Sequence, residues 1–406
     1  MSADPLDPFD AFEEAQAQGV RDPYPEWAEM RRRAPVHEVD LREEFGLDPD
    51  TEIPDLPRSY VVLSYDGVTQ VLRDPDTFSS SFYSDTMGAV MGHSILEMDE
   101  PEHHLYRGLI QQAFTRKALE RWQDELVRPM VEAIVDEIAE RGRGDLVREL
   151  TFPFPVRVIA GMLGLPAADL PQFHRWAVEL ISVGFDFDVG MAASQKLREY
   201  FAEQLAPRRD EPRDDLISVL AQADLDGHRL DDEAIFAFLR LLLPAGAETT
   251  YRSSSNLLFG LLTNPDQLAA VLADRSLLPQ AMDEGLRWEP PLPSIARWST
   301  ADTEVDGVGM AARSVVNVNM GAANRDEQRW ERPEEFDIFR PAQQHVSFAL
   351  GPHTCLGMHL ARMETTVAME TILDRLPKMR LDPAADDVHI RGRAFRSPRS
   401  LPVLCD

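Results

Sequence analysis

The chain has 406 residues, of which 70 are Asp or Glu and 41 are Lys or Arg, so its formal net charge is −29. This charge argues against nucleic-acid binding, because contacts to phosphates need a basic face. Hydrophobic residues make up 44% of the chain, enough for an extensive core. No repeat, linker or low-complexity tract divides the sequence, so we expect one domain over residues 1–406.

The sequence shows neither a targeting signal nor a disulfide framework. The first 30 residues are acidic and contain prolines, without the apolar region of a signal peptide. No run of 18 apolar residues follows, so we expect no membrane insertion. The two cysteines, Cys355 and Cys405, are too few for a disulfide framework and fit a reducing compartment. The sequence therefore predicts a soluble, cytoplasmic protein.

Hydrophobic periodicity predicts a mainly α-helical chain with small β-sheets. The predicted elements near the N-terminus are a strand over 60–64, a short helix through Val71 and Leu72, and a loop over 79–96. Helical patterns then follow over residues 102–114, 119–141, 155–163, 170–181, 193–205, 231–262 and 280–288. The last 90 residues are predicted to hold short strands, an irregular stretch over 324–341, a helix over 356–373 and a hairpin around 397–400.

The segment Phe348-Ala-Leu-Gly351-Pro-His353-Thr-Cys355-Leu-Gly357 stands at the start of the last predicted helix. A cysteine at a helix N-terminus is stabilised as the thiolate, which is an iron ligand. Phe348 would shield the sulfur side of a flat cofactor, Gly351 would allow a tight turn, and Gly357 would let the helix approach a macrocycle. The alternative is a buried structural cysteine in a glycine-rich turn. 

This segment resembles the haem-binding loop of the cytochrome P450 family. The resemblance implies a mainly α-helical haem domain, with the haem between the long central helix and the helix after Cys355. It implies haem b as the cofactor and the Cys355 thiolate as the axial iron ligand. Phe348 and Gly357 are then expected to contact the cofactor.

The long predicted helix is apolar on most faces between residues 235 and 262, which is typical of a buried helix. Pro244 removes an N–H group and Gly246 has no side chain, so a local kink or groove is expected at its centre. The segment 245–250, Ala-Gly-Ala-Glu-Thr-Thr, resembles the oxygen-activation segment of the same family. The resemblance implies that Glu248 and Thr249 relay protons and that Ala245 and Gly246 lie at the cofactor. In the alternative, Thr249 bonds back to a carbonyl and Glu248 pairs with a base.

Two further patterns match the family by position. Glu284 and Arg287 have the spacing E-x-x-R, which places both side chains on one helix face and predicts a structural ion pair that binds the 324–340 stretch. A solvated surface pair is the default for this spacing. The resemblance implies propionate ligands at four further positions, which singly would be ordinary surface residues: His103, Arg107, Arg297 and His353.

Taken together, the motifs identify the chain as similar to soluble bacterial P450 monooxygenases, which oxidise a small molecule with dioxygen and two electrons. Segments that line the family's substrate pocket are mostly apolar here and predict a hydrophobic substrate, although core packing is the alternative for each residue singly. The pocket candidates are Phe82, Phe185, Leu242, Leu292, Ile295 and Phe395, with Tyr83, Met87, Met91, Ile181 and Leu241 beside them. Two other functions are considered, a peroxide-driven haem-thiolate peroxygenase and a non-catalytic haem carrier or gas sensor.

The electron donor is expected to be a separate protein, because no flavin or ferredoxin module is fused to the chain. A ferredoxin or flavodoxin-type donor is acidic, and so is this protein, so docking would need a local basic patch on the thiolate side of the haem. The candidate cations for this patch are Arg116, Lys117, Arg121 and Arg362. Solvated helix-end charges are the alternative.

Overall fold

The computed structural model describes residues 21–44, 56–181, 183 and 186–405. Helices dominate this part of the chain, as the periodicity predicts. The helices up to the chain's centre are α1 (Tyr24–Arg33), α2 (Leu41–Glu44), α3 (Tyr65–Arg73), α4 (Met87–Met91), α5 (Glu102–Ile110), α6 (Arg116–Trp122), α7 (Arg128–Arg141), α8 (Pro153–Met162), α9 (Leu170–Ile181), α10 (Phe187–Asp210), α11 (Leu216–Gln222) and α12 (Asp232–Leu242). The later helices are α13 (Thr249–Thr263), α14 (Pro265–Ala273), α15 (Leu278–Trp288), α16 (Met320–Ala323) and α17 (Met358–Arg375).

The strands form small sheets at the edge of the helical body. They are β1 (Val36–Val39), β2 (Ser59–Val62), β3 (Phe78–Ser79), β4 (Arg143–Asp145), β5 (Ser294–Ser299), β6 (Thr303–Val305), β7 (Val308–Met310), β8 (Val315–Asn319), β9 (Arg380–Leu381), β10 (Ile390–Arg391), β11 (Ser397–Pro398) and β12 (Pro402–Leu404). The largest sheet has the order β1-β2-β8-β5-β3, in which only β2 and β8 are parallel. No helix among the described residues is long and apolar enough to cross a bilayer.

Most predicted helices are confirmed, and α9 has the predicted bounds. The loop predicted over 79–96 was wrong in part, because α4 lies inside it. The hairpin predicted around 397–400 was also placed wrongly: β11 pairs with β10, so the turn lies over 392–396, whereas β12 pairs with β4 and β9. Five further helices were not predicted: α1, α2, α11, α14 and α16. 

The long central helix is interrupted where the sequence predicts a kink. Between α12 and α13, residues Leu243–Glu248 form one π-helical segment. Pro244 lacks the N–H that would bond the carbonyl of Arg240, and that carbonyl accepts the N–H of Leu243 instead. A π segment widens the helix locally and is common at functional sites.

A buried ion pair on α15 anchors the irregular stretch before the cysteine loop. The Arg287 guanidinium donates to both carboxylate oxygens of Glu284, at 2.6 and 2.7 Å, and both residues are almost fully buried. Its remaining N–H groups donate to the carbonyls of Asn324, Pro333 and Glu335 at 2.9 to 3.0 Å. The pair therefore joins one helix to three points of the 324–335 backbone.

Substitution of Arg287 should destabilise the protein strongly. Arg287→Met leaves the buried Glu284 carboxylate without this partner, and breaking a buried pair costs about 3 to 5 kcal/mol. The matched control is Arg332→Met, because Arg332 pairs with Glu335 in the same stretch but is 57% exposed. Exposed pairs contribute roughly 0 to 1 kcal/mol, so the control should change little. Urea unfolding followed by circular dichroism measures both, and equal midpoints for the two variants would contradict the anchoring role.

Candidate functional site

The cysteine loop is a tight turn held by its own backbone. The N–H of Cys355 donates to the Phe348 carbonyl at 2.8 Å, and the N–H of Thr354 donates to the Gly351 carbonyl at 3.1 Å. Gly351 has a φ of 72°, and a β-carbon there would lie 2.4 Å from the Leu72 carbonyl oxygen. Only glycine fits this position, so the loop can press against α3 and turn directly into α17.

The Cys355 thiol faces a recess rather than the outer surface. Cys355 is accessible to solvent. The protein atoms around its thiol nevertheless raise the pKa of that thiol. Three groups oppose that rise: the backbone N–H groups of Gly357 and Met358, which bond the sulfur, and the nearby Arg107 guanidinium. Apart from Gly357 itself, its chain neighbours and the local helix backbone, no atom of the described residues lies within 4 Å of the place where a side chain at Gly357 would begin. The sulfur is therefore supported by helix N–H donors beside open space.

Two imidazole rings and two guanidinium groups gather near this recess. The rings of His103 and His353 stack with centroids 4.0 Å apart. Arg107 donates to the Thr354 carbonyl at 2.6 Å, and Arg297, which is 5% exposed, donates to the Ala296 carbonyl at 2.8 Å. All four residues named by the sequence for propionate binding thus lie in one region.

Burial and neighbouring cations set the protonation of this group. Burial, followed by the charges of His103, Arg297 and Arg107, lowers the pKa of His353 to about 3, so its ring is neutral at neutral pH. The pKa of His103 is also lowered, mainly by burial. His103 Nδ1 contacts Glu100 at 3.1 Å, whereas its buried Nε2 has no hydrogen-bond partner. An orphaned buried ring nitrogen indicates that a polar group of a ligand belongs there.

The π segment carries the second predicted motif. Ala245 is exposed, whereas a β-carbon at Gly246 would lie 3.2 Å from Ile159, so the missing side chain of Gly246 is used by α8 for close packing. The Thr249 hydroxyl donates to the Ala245 carbonyl at 2.6 Å. This hydrogen bond from Thr249 to the carbonyl four residues earlier is the one expected if the threonine has a structural role.

Glu248 is buried and bound to a cation that the sequence analysis missed. Arg252 donates to the same Glu248 oxygen from Nε at 3.2 Å and from Nη2 at 3.1 Å. It also donates to the Ser397 hydroxyl at 2.9 Å and lies 5.8 Å from the Phe395 ring. The spacing of Glu248 and Arg252, four residues apart on a helix, was a signal for the pair. The contact between Arg252 and Ser397 joins residues 145 positions apart in the sequence. No local sequence pattern could therefore predict it.

The apolar pocket candidates lie on several elements. Phe82 packs against Tyr83 and Trp298, and the Tyr83 hydroxyl accepts the N–H of Ala296 at 2.9 Å. Leu242 is buried on α12, and the half-buried candidates are Leu292, Ile295 and Phe395. Ile295 belongs to β5, where it packs against the core around the largest sheet. Phe185 lies outside the described residues.

The predicted basic patch is largely neutralised by acidic neighbours. Arg116 pairs with Glu120, Arg121 with Asp214, and Arg362 with Asp283. Of the four cations, only Lys117 has no ion pair within the part of the chain that the structure describes. Only the Arg116–Glu120 pair, four residues apart on one helix, had a local signal in the sequence. Asp214 and Asp283 lie far from their partners along the chain.

Comparison with known proteins agrees with the motifs. A family model described as Cytochrome P450 matches residues 184–387. The chain is 37% identical over 399 residues to the steroid C26-monooxygenase of Mycolicibacterium smegmatis, which covers 95% of this chain and 92% of that protein. It is 33% identical over 398 residues to the cytochrome P450 monooxygenase PikC of Streptomyces venezuelae, with 94% and 91% covered.

The fold agrees as well. The crystal structure of CYP109E1 from Bacillus megaterium in complex with testosterone matches with a TM-score of 0.85 at 31% identity, covering 95% of this chain and 99% of that chain. Sequence identity above 30% and matching structure both extend over nearly the whole length. The chain therefore belongs to the cytochrome P450 family.

Proposed function

We propose that residues 1–406 form a single haem domain that oxidises a hydrophobic small molecule with dioxygen and two electrons from a separate ferredoxin or flavodoxin-type donor. The cofactor in this proposal is haem b, with the Cys355 thiolate as the axial iron ligand. The observation that carries the proposal is the Cys355 sulfur, which receives two backbone N–H groups at the start of α17 and faces open space. 

The residues around this sulfur fit a haem. The buried Nε2 of His103 lacks a partner, and no carboxylate of the described residues lies within 4 Å of the buried Arg297 guanidinium. A propionate would supply the carboxylate missing at Arg297, because carboxylates bond strongly to guanidinium donors. His103 Nε2 would donate to a second propionate in the ring form that carries a proton on that nitrogen. Arg107, beside Thr354, and His353, stacked on His103, complete this set. Phe348 and Gly357 would then flank the macrocycle from the cysteine loop.

When bound, a haem with a thiolate ligand supplies oxygen activation, because the electron-rich sulfur favours cleavage of the O–O bond. The protein supplies position and protons. In the proposal, the Glu248 carboxylate and the Thr249 hydroxyl relay protons into the pocket. The exposure of Ala245 and the widened π segment around it support access at this point. Arg252 holds the Glu248 carboxylate in place.

A hydrophobic substrate is supported by the apolar candidates on α4, α12 and β5. Steroids are the first compounds to test, because one relative is named a steroid C26-monooxygenase and CYP109E1 was crystallised with testosterone. The separate donor would dock on a face whose candidate cations are mostly paired, so we expect only weak dependence of electron transfer on salt.

Replacement of Cys355 tests the ligand assignment. Cys355→Ser should abolish the red-shifted Soret band of the reduced CO complex, because a serine hydroxyl stays protonated and is a weak iron ligand. Cys405→Ser is the matched control, since Cys405 is the other cysteine of the chain, forms no disulfide and lies in the C-terminal segment. Absorption spectra of the reduced CO complexes measure both. Retention of the band in Cys355→Ser would refute the assignment.

Removal of the Thr249 hydroxyl tests the proton relay. Thr249→Ala should leave haem content and the substrate-induced spin shift unchanged while product formed per NAD(P)H falls by about 10-fold or more, since general acid catalysis contributes at least that much. Peroxide release should rise correspondingly. Thr263→Ala is the control, because Thr263 makes the same type of bond to the carbonyl four residues earlier, at the far end of α13. Unchanged coupling in Thr249→Ala would remove the hydroxyl from the relay.

A double-mutant cycle tests whether Arg252 acts through Glu248. Arg252→Met should slow product formation by roughly 10-fold, because it removes a charge-assisted contact that orients the carboxylate. In a Glu248→Gln background, the same change should cost less than about 2-fold, since the group it orients is already altered. Haem content and thermal stability of all four proteins report purely structural effects. Equal losses in both backgrounds would show that Arg252 does not act through Glu248.

A further inference from the structure

Arg240 is a buried cation, and among the residues that the structure describes it has no acidic partner. Its side chain on α12 is 7% exposed, and no carboxylate of the described residues lies within 4 Å of it. Nε donates to the Phe236 carbonyl at 3.2 Å and Nη1 donates to the Ser194 hydroxyl at 3.0 Å. A guanidinium has five N–H donors, so three remain available. Buried charges in proteins are normally paired, which makes this residue exceptional.

Three elements meet at this guanidinium. Ser194 belongs to α10 and donates onward to the Val90 carbonyl of α4 at 2.5 Å. Gly92 follows α4 with a φ of 90°, and a β-carbon there would lie 2.8 Å from Arg240 Nη2. A side chain at Gly92 would collide with Nη2, so the glycine lets the end of α4 approach the guanidinium closely. The guanidinium therefore lies at the junction of α4, α10 and α12.

The guanidinium keeps its charge in this environment. Burial lowers its pKa to about 10, so Arg240 is still a cation at neutral pH. The charged groups that act on it are Glu233 and Arg198, which have opposite effects. These two residues pair with each other nearer the surface. Nothing among the described residues therefore balances the Arg240 charge locally.

The location of Arg240 relates it to the proposed substrate pocket. Met87 and Met91 lie on α4, whose end approaches the guanidinium, and Leu241 and Leu242 follow Arg240 on α12. All four are apolar pocket candidates. Binding pockets of this kind combine apolar walls with a few polar groups that fix the orientation of the ligand. Arg240 is the cation of this junction. An anion would balance its charge, whereas a neutral acceptor would not.

We infer that Arg240, oriented by Ser194, binds the carboxylate of a hydrophobic carboxylic acid and thereby orients it in the substrate pocket. This inference rests on the proposed function, because it names the class of compound that the pocket accepts. The carboxylate would accept from the remaining guanidinium N–H groups, and the apolar body would lie along α4 and α12. The ligand is then an amphipathic acid with a linear or polycyclic hydrocarbon skeleton.

The test compares acids with their methyl esters in the haem-loaded protein. Dodecanoic acid and lithocholic acid, each with its methyl ester, are titrated at pH 7.5 while the haem spin state is followed by absorption. In the wild type, at least one acid should bind about 10-fold tighter than its ester, because a charge-assisted bond to guanidinium is strong. Arg240→Met should bring the two affinities within about 2-fold of each other while ester affinity stays the same.

Matched variants separate this site from general effects. Arg198→Met removes a nearby surface cation that is paired with Glu233, and it should keep the preference for the acid. Ser194→Ala should reduce the preference only in part, since it removes one orienting contact. If Arg240→Met loads no haem, Arg240→Gln takes its place, because it keeps a polar group without the charge.

The outcomes also distinguish this inference from the proposed function. Esters that shift the spin state while neither acid binds more tightly would overturn the Arg240 site and leave the hydrophobic pocket intact. Preference for the acid that persists in Arg240→Met and Arg240→Gln would likewise overturn it. Absence of any spin shift with all four compounds would overturn the site and would also count against the hydrophobic substrate itself.

Discussion

The site depends on the hydrogen bonds from backbone N–H groups to the Cys355 sulfur. Two N–H groups at the start of α17 reach the sulfur only because the chain turns sharply just before it. That turn requires Gly351, whose missing side chain lets the loop press against the Leu72 carbonyl of α3. The burial that raises the pKa of the thiol is opposed by these same N–H groups and by Arg107. These groups thus offset part of the cost of ionising the thiol, as the proposed role of Cys355 as iron ligand requires.

Buried ionic contacts in the surrounding framework help to keep that loop in place, beside the apolar packing of Val346 and Leu350. Glu284 and Arg287 fasten the irregular stretch before the loop to α15, and their burial makes each contact costly to lose. On the other side of the recess, Arg252 ties the π segment to β11 through Ser397. Both devices place an arginine where several carbonyl or hydroxyl groups need a donor. The side chains that line the space between the central helix and α17 are not needed for this anchoring.

Much of this arrangement could be predicted from the sequence, where the signals are local. The bounds of α9 and the break near Pro244 follow from periodicity and from the missing N–H of proline. The helix α11 was missed because five of its seven residues are buried, which leaves no polar face to reveal a helical period. The pairing of Arg121 with Asp214 was equally hidden, since the two residues meet only in the folded chain. The contact between Arg252 and Ser397 also forms only in the folded chain. The same is true of the surroundings of Arg240, which hold no carboxylate of the described residues within 4 Å.

The most direct test of the account is the identity of the atom bound to iron. Iron K-edge X-ray absorption of the purified ferric protein resolves sulfur from nitrogen and oxygen in the first coordination shell. The account predicts one sulfur ligand in the wild type and none in a protein that lacks Cys355. A first shell of nitrogen and oxygen alone in the wild type would contradict it.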